Sequence, residues 1–165
     1  MRFRGGFMGM LKRFMVSNFK NFEKPLVLDL TAGRYTFNKE NVCNGVVKNA
    51  IIYGYNACGK SNLALAIFDI VGSLTDNHVA CEHYRNYQNV CNPEKPAEFS
   101  YTFEFDSDTL VYSYKKMDWQ TTIEEQLEIN GKTFLSFSRD TKKLYQSFVG
   151  AETLNSTMPM TILRR

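Results

Sequence analysis

The chain has 165 residues, of which 44% are hydrophobic and 22% are charged, and its formal net charge is +3. A chain of this length and composition is expected to bury roughly 70% of its unfolded surface in one domain, and it lacks the high charge and low hydrophobicity of disordered proteins. The small net charge does not by itself indicate a nucleic-acid partner.

The N-terminal region is basic, with six Lys or Arg residues against one Glu between positions 1 and 24. This pattern fits a basic arm, but an ordinary solvated terminus is the interpretation that we favour. Lys12 and Arg13 interrupt the apolar run after the start, so no export signal is predicted. No apolar run reaches the ~20 residues needed to span a bilayer. We expect residues 1–9 to be a disordered or misannotated extension, with Met8 or Met10 as alternative starts.

Two apolar runs open the patterned part of the sequence, LKRFMVSNF and KPLVLDLT. Their composition and the polar turn between them predict an antiparallel hairpin. Residues 32–48 combine Gly, Asn and charges without periodicity and predict a loop. The apolar residues 50–53 then predict a short buried strand.

A helix is predicted over residues 61–75, because apolar residues recur there at helical spacing and should share one face. These residues are Leu63, Ile67, Phe68, Ile70, Val71 and Leu74. The polar residues that follow, up to position 96, predict a connection.

The hydrophobic period then changes to two. Phe and Tyr alternate with polar residues from Phe99 to Tyr114 across the turn Asp-Ser-Asp, which predicts an antiparallel hairpin. Asn130-Gly131 supplies the two positive φ angles of a type I′ turn and predicts a second hairpin. The tail 151–165 is ambiguous, and a helix interrupted at Pro159 is one interpretation.

Between the predicted strand and helix, Gly54, Gly59, Lys60 and Ser61 match the phosphate-loop pattern G-x-x-x-x-G-K-[ST]. Glycine permits close backbone approach, and N–H groups at a helix N-terminus bind phosphate with help from the helix dipole. Lys60 can bring positive charge to the β- and γ-phosphates, and the Ser61 hydroxyl can bind Mg²⁺. The predicted nucleotide site comprises Gly54, Tyr55, Asn56, Ala57, Cys58, Gly59, Lys60, Ser61 and Asn62. The alternative is an ordinary strand-to-helix turn.

Two blocks, LKRFMVSNFKNFEKPLVLDL and NAIIYGYNACGKSNLALAIFDI, resemble the N-terminal half of an ABC-type ATPase head of the SMC and RecF kind. Within that group they are most similar to prokaryotic AAA-labelled ATPases of abortive-infection and OLD-like defence families. The resemblance covers roughly residues 10–139. It implies an α/β fold, namely a P-loop NTPase N-terminal lobe with a mixed sheet and a P-loop helix, plus antiparallel β-hairpins.

The same resemblance implies how the chain is organised and what it binds. Residues 10–165 would form a partial ATPase domain, with 10–76 as the nucleotide-binding core and 96–139 as antiparallel strands. The implied ligands are ATP and Mg²⁺. The implied partner is a second copy or another protein of a defence system, a nucleic-acid partner is left open, and no membrane is involved.

The family's signature motif, Walker B Asp-Glu and switch His do not occur in this sequence. LVLD, ending at Asp29, and AIFD, ending at Asp69, resemble half of a Walker B segment, but no Glu follows either one. No catalytic residue is therefore predicted; should turnover occur, Glu104, Asp106 and Glu125 are the first candidates. We expect ATP binding with little or no hydrolysis by this chain, which we expect to be a fragment or a degenerate gene product.

Two other function classes stay open. A stand-alone P-loop kinase of small molecules usually begins at its P-loop strand, whereas two predicted strands precede the loop here. A non-enzymatic interaction module would use the sheet to bind a partner, and nucleotide would only order the loop.

Several weaker signals allow a functional and a purely structural interpretation, and we favour the structural one. Four cysteines without a C-x-x-C pair, and no secretion signal, predict reduced thiols in the cytoplasm. Cys58 could be a reactive thiol at a helix N-terminus or a small filler residue. The aromatic stripe could be a base-stacking platform or a packed sheet face. Lys20 could be a nucleotide contact or an exposed turn lysine. A zinc site is the alternative to a polar connection with incidental thiols for His78, Cys81, His83 and Cys91.

Overall fold

A computed structural model describes residues 9–34, 38–75, 81–105, 107–141 and 143–147. Short 3₁₀ segments cover Lys39–Asn41 and Cys81–Tyr84. The strands are β1 (Met10–Ser17), β2 (Leu26–Asp29), β3 (Val42–Cys43), β4 (Val46–Val47), β5 (Ala97–Phe105), β6 (Asp108–Lys116), β7 (Thr122–Ile129), β8 (Lys132–Ser138) and β9 (Lys143–Gln146), and the helix is α1 (Lys60–Leu74). No helix in these ranges is long and apolar enough to cross a membrane.

Seven strands form one sheet in the order β2-β1-β5-β6-β7-β8-β9, and every neighbouring pair is antiparallel. All three predicted hairpins are confirmed: β1 with β2, β5 with β6, and β7 with β8. Asn130 and Gly131 have φ angles of 51° and 73°, as a type I′ turn requires. The edge strand β9 was not predicted, because its four residues are too few for a strand period to be recognised.

The core lies between α1 and one face of this sheet. Alternate residues of β1, β5 and β6 supply its aromatic centre, and each of them is at most 2% exposed: Phe14, Phe99, Tyr101, Tyr112 and Tyr114. Leu63 and Ala66 of α1 pack against them. The predicted period of two is thereby confirmed, and each fully buried large side chain contributes about 1.5–3 kcal/mol.

The helix occupies nearly the predicted residues, but the predicted apolar face is wrong in part. Leu63 is buried, whereas Phe68 is 65% exposed and Val71 is 39% exposed. Asp69 and Ser73 are buried instead. The spacing of apolar residues cannot predict which face of a helix is buried when a charged residue such as Asp69 lies on that face.

The predicted buried strand at residues 50–53 is also wrong. Ile51 and Tyr53 are each 90% exposed, and this segment is outside every strand. β1 already has β2 on one side and β5 on the other, and no strand of the described ranges lies beside residues 50–53. An apolar run becomes a buried strand only where a partner strand is available. In place of the expected mixed sheet, the described strand pairs are all antiparallel.

The predicted loop at residues 32–48 contains a small hairpin. β3 and β4 pair across Asn44-Gly45, whose φ angles are 49° and 73°. This is the same Asn-Gly turn signal as at residues 130–131, here flanked by strands of only two residues. Residues 85–96 form the predicted connection, with Tyr87 buried at 4% exposure. The predicted extension, apart from Gly9, and the ambiguous tail lie outside the described residues.

Candidate nucleotide-binding site

Residues 51–55 lead into α1 through a loop with left-handed backbone. Ala57 has φ 64°, and Gly59, the N-cap of α1, has φ 100°. Glycine adopts the second conformation without the steric cost that a side chain would add. The Gly59 carbonyl then accepts the first helical hydrogen bond, from the Leu63 N–H at 2.8 Å. The second glycine of the motif is therefore the residue that starts the helix.

The first turn of α1 leaves backbone donors for a ligand. Since the first helical bond comes from Leu63, the N–H groups of Lys60, Ser61 and Asn62 have no acceptor within the helix. No side chain caps this end. The donors lie at a cleft of about 350 Å³ whose lining residues are Asn56, Ala57, Gly59, Lys60, Ser61 and Asn62. Together with the partial positive charge of the helix N-terminus, they form a site suited to an anion.

Lys60 bends back over the loop. Its ammonium donates to the carbonyl oxygens of Gly54 at 2.8 Å and Tyr55 at 2.7 Å, and lies 3.8 Å from the Cys58 sulfur. The cation is thus held by weak, exposed backbone acceptors at the centre of the loop. Stronger charged acceptors such as phosphate oxygens can replace these carbonyls.

The nine predicted site residues are consecutive in the sequence and run from the loop at 54–59 into the first turn of α1. They contribute different groups to the site. The Tyr55 side chain is 91% exposed and contributes only its carbonyl. Cys58 packs its sulfur against Gly54, where an added Cβ would lie 2.9 Å away. The contact agrees with the interpretation of Cys58 as a filler residue, and a side chain at position 54 would have to displace the Cys58 sulfur.

Acidic groups are missing from the described lining of the cleft. No group of three or more His, Cys, Asp or Glu side chains that could hold a metal occurs in the ranges that the structure describes. Ser61 is exposed in the first turn of α1. The Mg²⁺ prediction therefore depends on the Ser61 hydroxyl acting together with the ligand's own phosphate oxygens.

The β1–β2 turn reaches this loop through Asn21. Lys20 of the same turn was one candidate for a nucleotide contact, whereas no role was predicted for Asn21. The Asn62 side-chain amide donates to Asn21 Oδ1 at 2.7 Å across 41 positions of sequence. A side chain at position 59 would collide with the Asn21 amide. Nothing in the local pattern of either segment predicts this contact, because it depends on how α1 is placed on the sheet.

A second contact that was not predicted holds α1 from its buried side. Asp69 Oδ2 accepts from the Lys116 ammonium at 2.8 Å, the Tyr114 hydroxyl at 2.9 Å and the Ser73 hydroxyl at 3.2 Å. Its Oδ1 accepts from the Tyr87 hydroxyl at 2.8 Å. The carboxylate is therefore committed to structure, as the rejection of AIFD as a Walker B segment expects.

Burial is the main cause of large pKa changes in this cluster. It raises the pKa of Tyr87, Tyr101 and Tyr114 well above the usual value for a phenol, and the charge of Asp69 raises each of them further. These hydroxyls stay protonated: those of Tyr87 and Tyr114 donate to the Asp69 carboxylate, and that of Tyr101 donates to the Ala66 carbonyl at 2.8 Å. The pKa of the Asp29 carboxylate, in the other half motif, is lowered by a hydrogen bond from the Thr31 side chain and by a second one from the Thr31 N–H at 2.9 Å.

For most of the remaining weak signals, the structure agrees with a structural role rather than a functional one. The aromatic stripe is packed beneath α1, so its buried rings are not a base-stacking platform. Lys20 is half-buried rather than exposed: its ammonium donates to the Arg85 carbonyl at 2.9 Å, and burial lowers its pKa. Of the zinc candidates, His78 lies outside the described residues and Cys91 is a free, exposed thiol.

Comparison with protein-family models and with curated proteins finds no match to this chain. The functional interpretation of the site therefore depends on its own residues and geometry. Among these, Lys60 and the backbone donors of the first turn of α1 carry the most specific chemistry.

Proposed function

We propose that this chain binds ATP with Mg²⁺ through residues 54–62, as the N-terminal lobe of a P-loop ATPase head of the SMC and RecF kind. The observation that carries the proposal is the position of Lys60 and of the unused N–H groups of residues 60–62 around one cleft. A triphosphate has dense negative charge and needs several convergent donors, and this loop offers a cation, backbone N–H groups and a helix dipole together.

Binding exchanges the acceptors of Lys60. The ammonium leaves the carbonyls of Gly54 and Tyr55 and donates to the β- and γ-phosphate oxygens. The backbone N–H groups of the first turn of α1 bind the same phosphates, and the Ser61 hydroxyl contributes one oxygen to the Mg²⁺ shell. Gly54 and Gly59 let the backbone approach closely enough for these bonds to form.

Hydrolysis is a different matter, because phosphoryl transfer depends on groups that orient water and stabilise developing charge. No acidic residue lines the described cleft, and Asp69 is fully engaged by α1 and the sheet. Losing one such stabilising group commonly costs about 10² to 10³ in rate. We infer that this chain binds ATP and that turnover requires groups other than those of residues 1–165, for example from a partner protein of a phage-defence system in the cytoplasm.

The test is thermal unfolding with and without Mg-ATP. At 100 times the dissociation constant, the ligand should stabilise the chain by about 2.7 kcal/mol, and Lys60→Ala should remove most of this gain. Lys48→Ala is the matched control, because Lys48 also donates to a backbone carbonyl, that of Glu40 at 2.8 Å, but lies outside the loop. Phosphate release should stay at the Lys60→Ala background.

An unchanged unfolding temperature of folded wild-type protein at millimolar Mg-ATP would refute nucleotide binding. It would favour the second candidate, an interaction module. That candidate is supported by the exposed apolar side chains beside the loop, since Ile51, Tyr53 and Tyr55 are each at least 90% exposed. Self-association that increases with protein concentration would then be the next measurement.

A further inference from the structure

We propose that Asn21 is a positioning residue of the nucleotide site, through which the β1–β2 turn holds the phosphate loop and the first turn of α1 in their binding geometry. The inference rests on the proposed function and adds a residue that the loop motif does not contain. Its basis is a side-chain hydrogen bond between the two segments, from the Asn62 amide to Asn21 Oδ1 at 2.7 Å.

The position of this contact matters because Asn62 is in the first turn of α1. Its backbone N–H is one of the donors left free for a ligand. On the other side, the Asn21 amide lies against Gly59, where any side chain would collide with it. Asn21 therefore lies beside the residue that precedes the free donors and is hydrogen-bonded to the residue that carries the last of them.

The turn that presents Asn21 is itself held from behind. The Lys20 N–H donates to the Tyr87 carbonyl at 2.9 Å, and the Lys20 carbonyl accepts from the Asn89 amide at 2.7 Å. Asn18 is 6% exposed, and its amide donates to the Lys95 carbonyl at 2.7 Å. Both Asn18 and Lys20 have positive φ, 52° and 48°. A turn fixed at so many points can transmit its position to the loop, whereas a free turn could not.

Fixing donors before the ligand arrives reduces the ordering cost of binding. Removing the Asn21 side chain should therefore reduce affinity for nucleotide while leaving the core intact, because Asn21 is exposed. A neutral hydrogen bond contributes about 0.5–1.5 kcal/mol, which corresponds to a loss of affinity of roughly twofold to tenfold.

The experiment measures the dissociation constant of Mg-ATP by calorimetry for the wild type, Asn21→Ala, Asn62→Ala and the double variant. We expect each single variant to bind roughly twofold to tenfold more weakly, and the double variant no more weakly than the worse single one, because both remove the same contact. Asn41→Ala is the matched control. It removes another exposed Asn–Asn hydrogen bond, from the Asn49 amide at 3.1 Å, and should leave affinity unchanged.

Wild-type affinity in Asn21→Ala, or losses that add in the double variant, would overturn the inference. So would an equal loss in Asn41→Ala, since the effect would not then be specific to the loop. If Asn21→Ala unfolds at the temperature of the assay, Asn21→Ser replaces it. Its shorter side chain loses the contact with Asn62 but keeps a polar group in the exposed turn, so it should bind as weakly as Asn62→Ala. Absence of binding by the folded wild type would instead refute the proposed function, and the inference with it.

Discussion

Asp69→Asn is the substitution that tests most directly how α1 is held on the sheet. It keeps the shape of the side chain and one acceptor oxygen, which can serve either Tyr87 or Tyr114, and it removes the negative charge 2.8 Å from the Lys116 ammonium. Both side chains of this ion pair are only 3% exposed, so water cannot replace the lost charge.

The expected cost is about 4 kcal/mol, since removing one partner of a buried ion pair typically costs about 3–5 kcal/mol. An independent limit comes from neutralising Lys116 instead. Deprotonating a lysine of ordinary pKa, about 10.4, at pH 7 costs about 4.6 kcal/mol, and at pH 9 about 1.9 kcal/mol. In the variant, the unfolded chain then binds more protons than the folded one, so stability rises with pH. The deficit should therefore shrink by up to about 2.7 kcal/mol between pH 7 and pH 9.

Urea denaturation of wild type and variant at the two pH values measures this free energy. Glu124→Gln is the matched control, because it breaks the pair with Lys115 at 2.9 Å, whose side chains are 38% and 43% exposed. That change should cost at most about 1 kcal/mol. A deficit for Asp69→Asn below about 1 kcal/mol, or one that stays constant from pH 7 to pH 9, would refute the reasoning. If Asp69→Asn is unfolded at pH 7, we expect it to fold at pH 9, because the stability deficit is smaller there.

Two further predictions concern the core and the exposed segment. Because Tyr87, Tyr101 and Tyr114 have raised pKa values, the unfolded chain loses phenolic protons before the folded chain does as pH rises above about 10. Stability should therefore fall by up to about 1.4 kcal/mol per pH unit for each tyrosine. Absorbance at 295 nm should show these phenols ionising only when the chain unfolds, and ionisation in the folded chain would contradict their burial. Tyr53→Ser should change the free energy of unfolding by no more than about 0.5 kcal/mol, whereas Tyr101→Ala should cost about 3–5 kcal/mol; a loss of more than about 2 kcal/mol at Tyr53 would mean that residues 50–53 are packed.

Local signals in the sequence were sufficient for the parts of the fold that local chemistry determines. Alternation from Phe99 to Tyr114 identified β5 and β6, and Asn130-Gly131 identified the turn between β7 and β8. The glycines and Lys60 of the loop were predicted as a phosphate site because such a site needs those residue types at that spacing. What was missed depends on partners distant in sequence: Asp69 meets Lys116 across 47 positions, and Asn62 meets Asn21 across 41.

The error at residues 50–53 has the same origin. Ile51 and Tyr53 have the composition of a buried strand, yet composition shows only that burial would be favourable and not that a neighbour exists to provide it. The residue that the helix buries against the sheet, Asp69, was passed over for the opposite reason, because a carboxylate is rarely buried unless it is paired.

The two contacts that were not predicted, at Asp69 and at Asn21, together explain how the loop can keep its geometry without a strand beside it. Asp69 ties the buried side of α1 to β6 through Lys116, and Asn62, about 10 Å nearer the N-terminus of the helix, is tied to the β1–β2 turn through Asn21. A helix held at two separated points cannot tilt away from the sheet without breaking one of them. Its free N–H groups therefore keep their direction, although residues 50–53 contribute no sheet hydrogen bonds among the described residues. Losing the Asp69 contact should then cost stability first, whereas losing the Asn21 contact should cost affinity for nucleotide first.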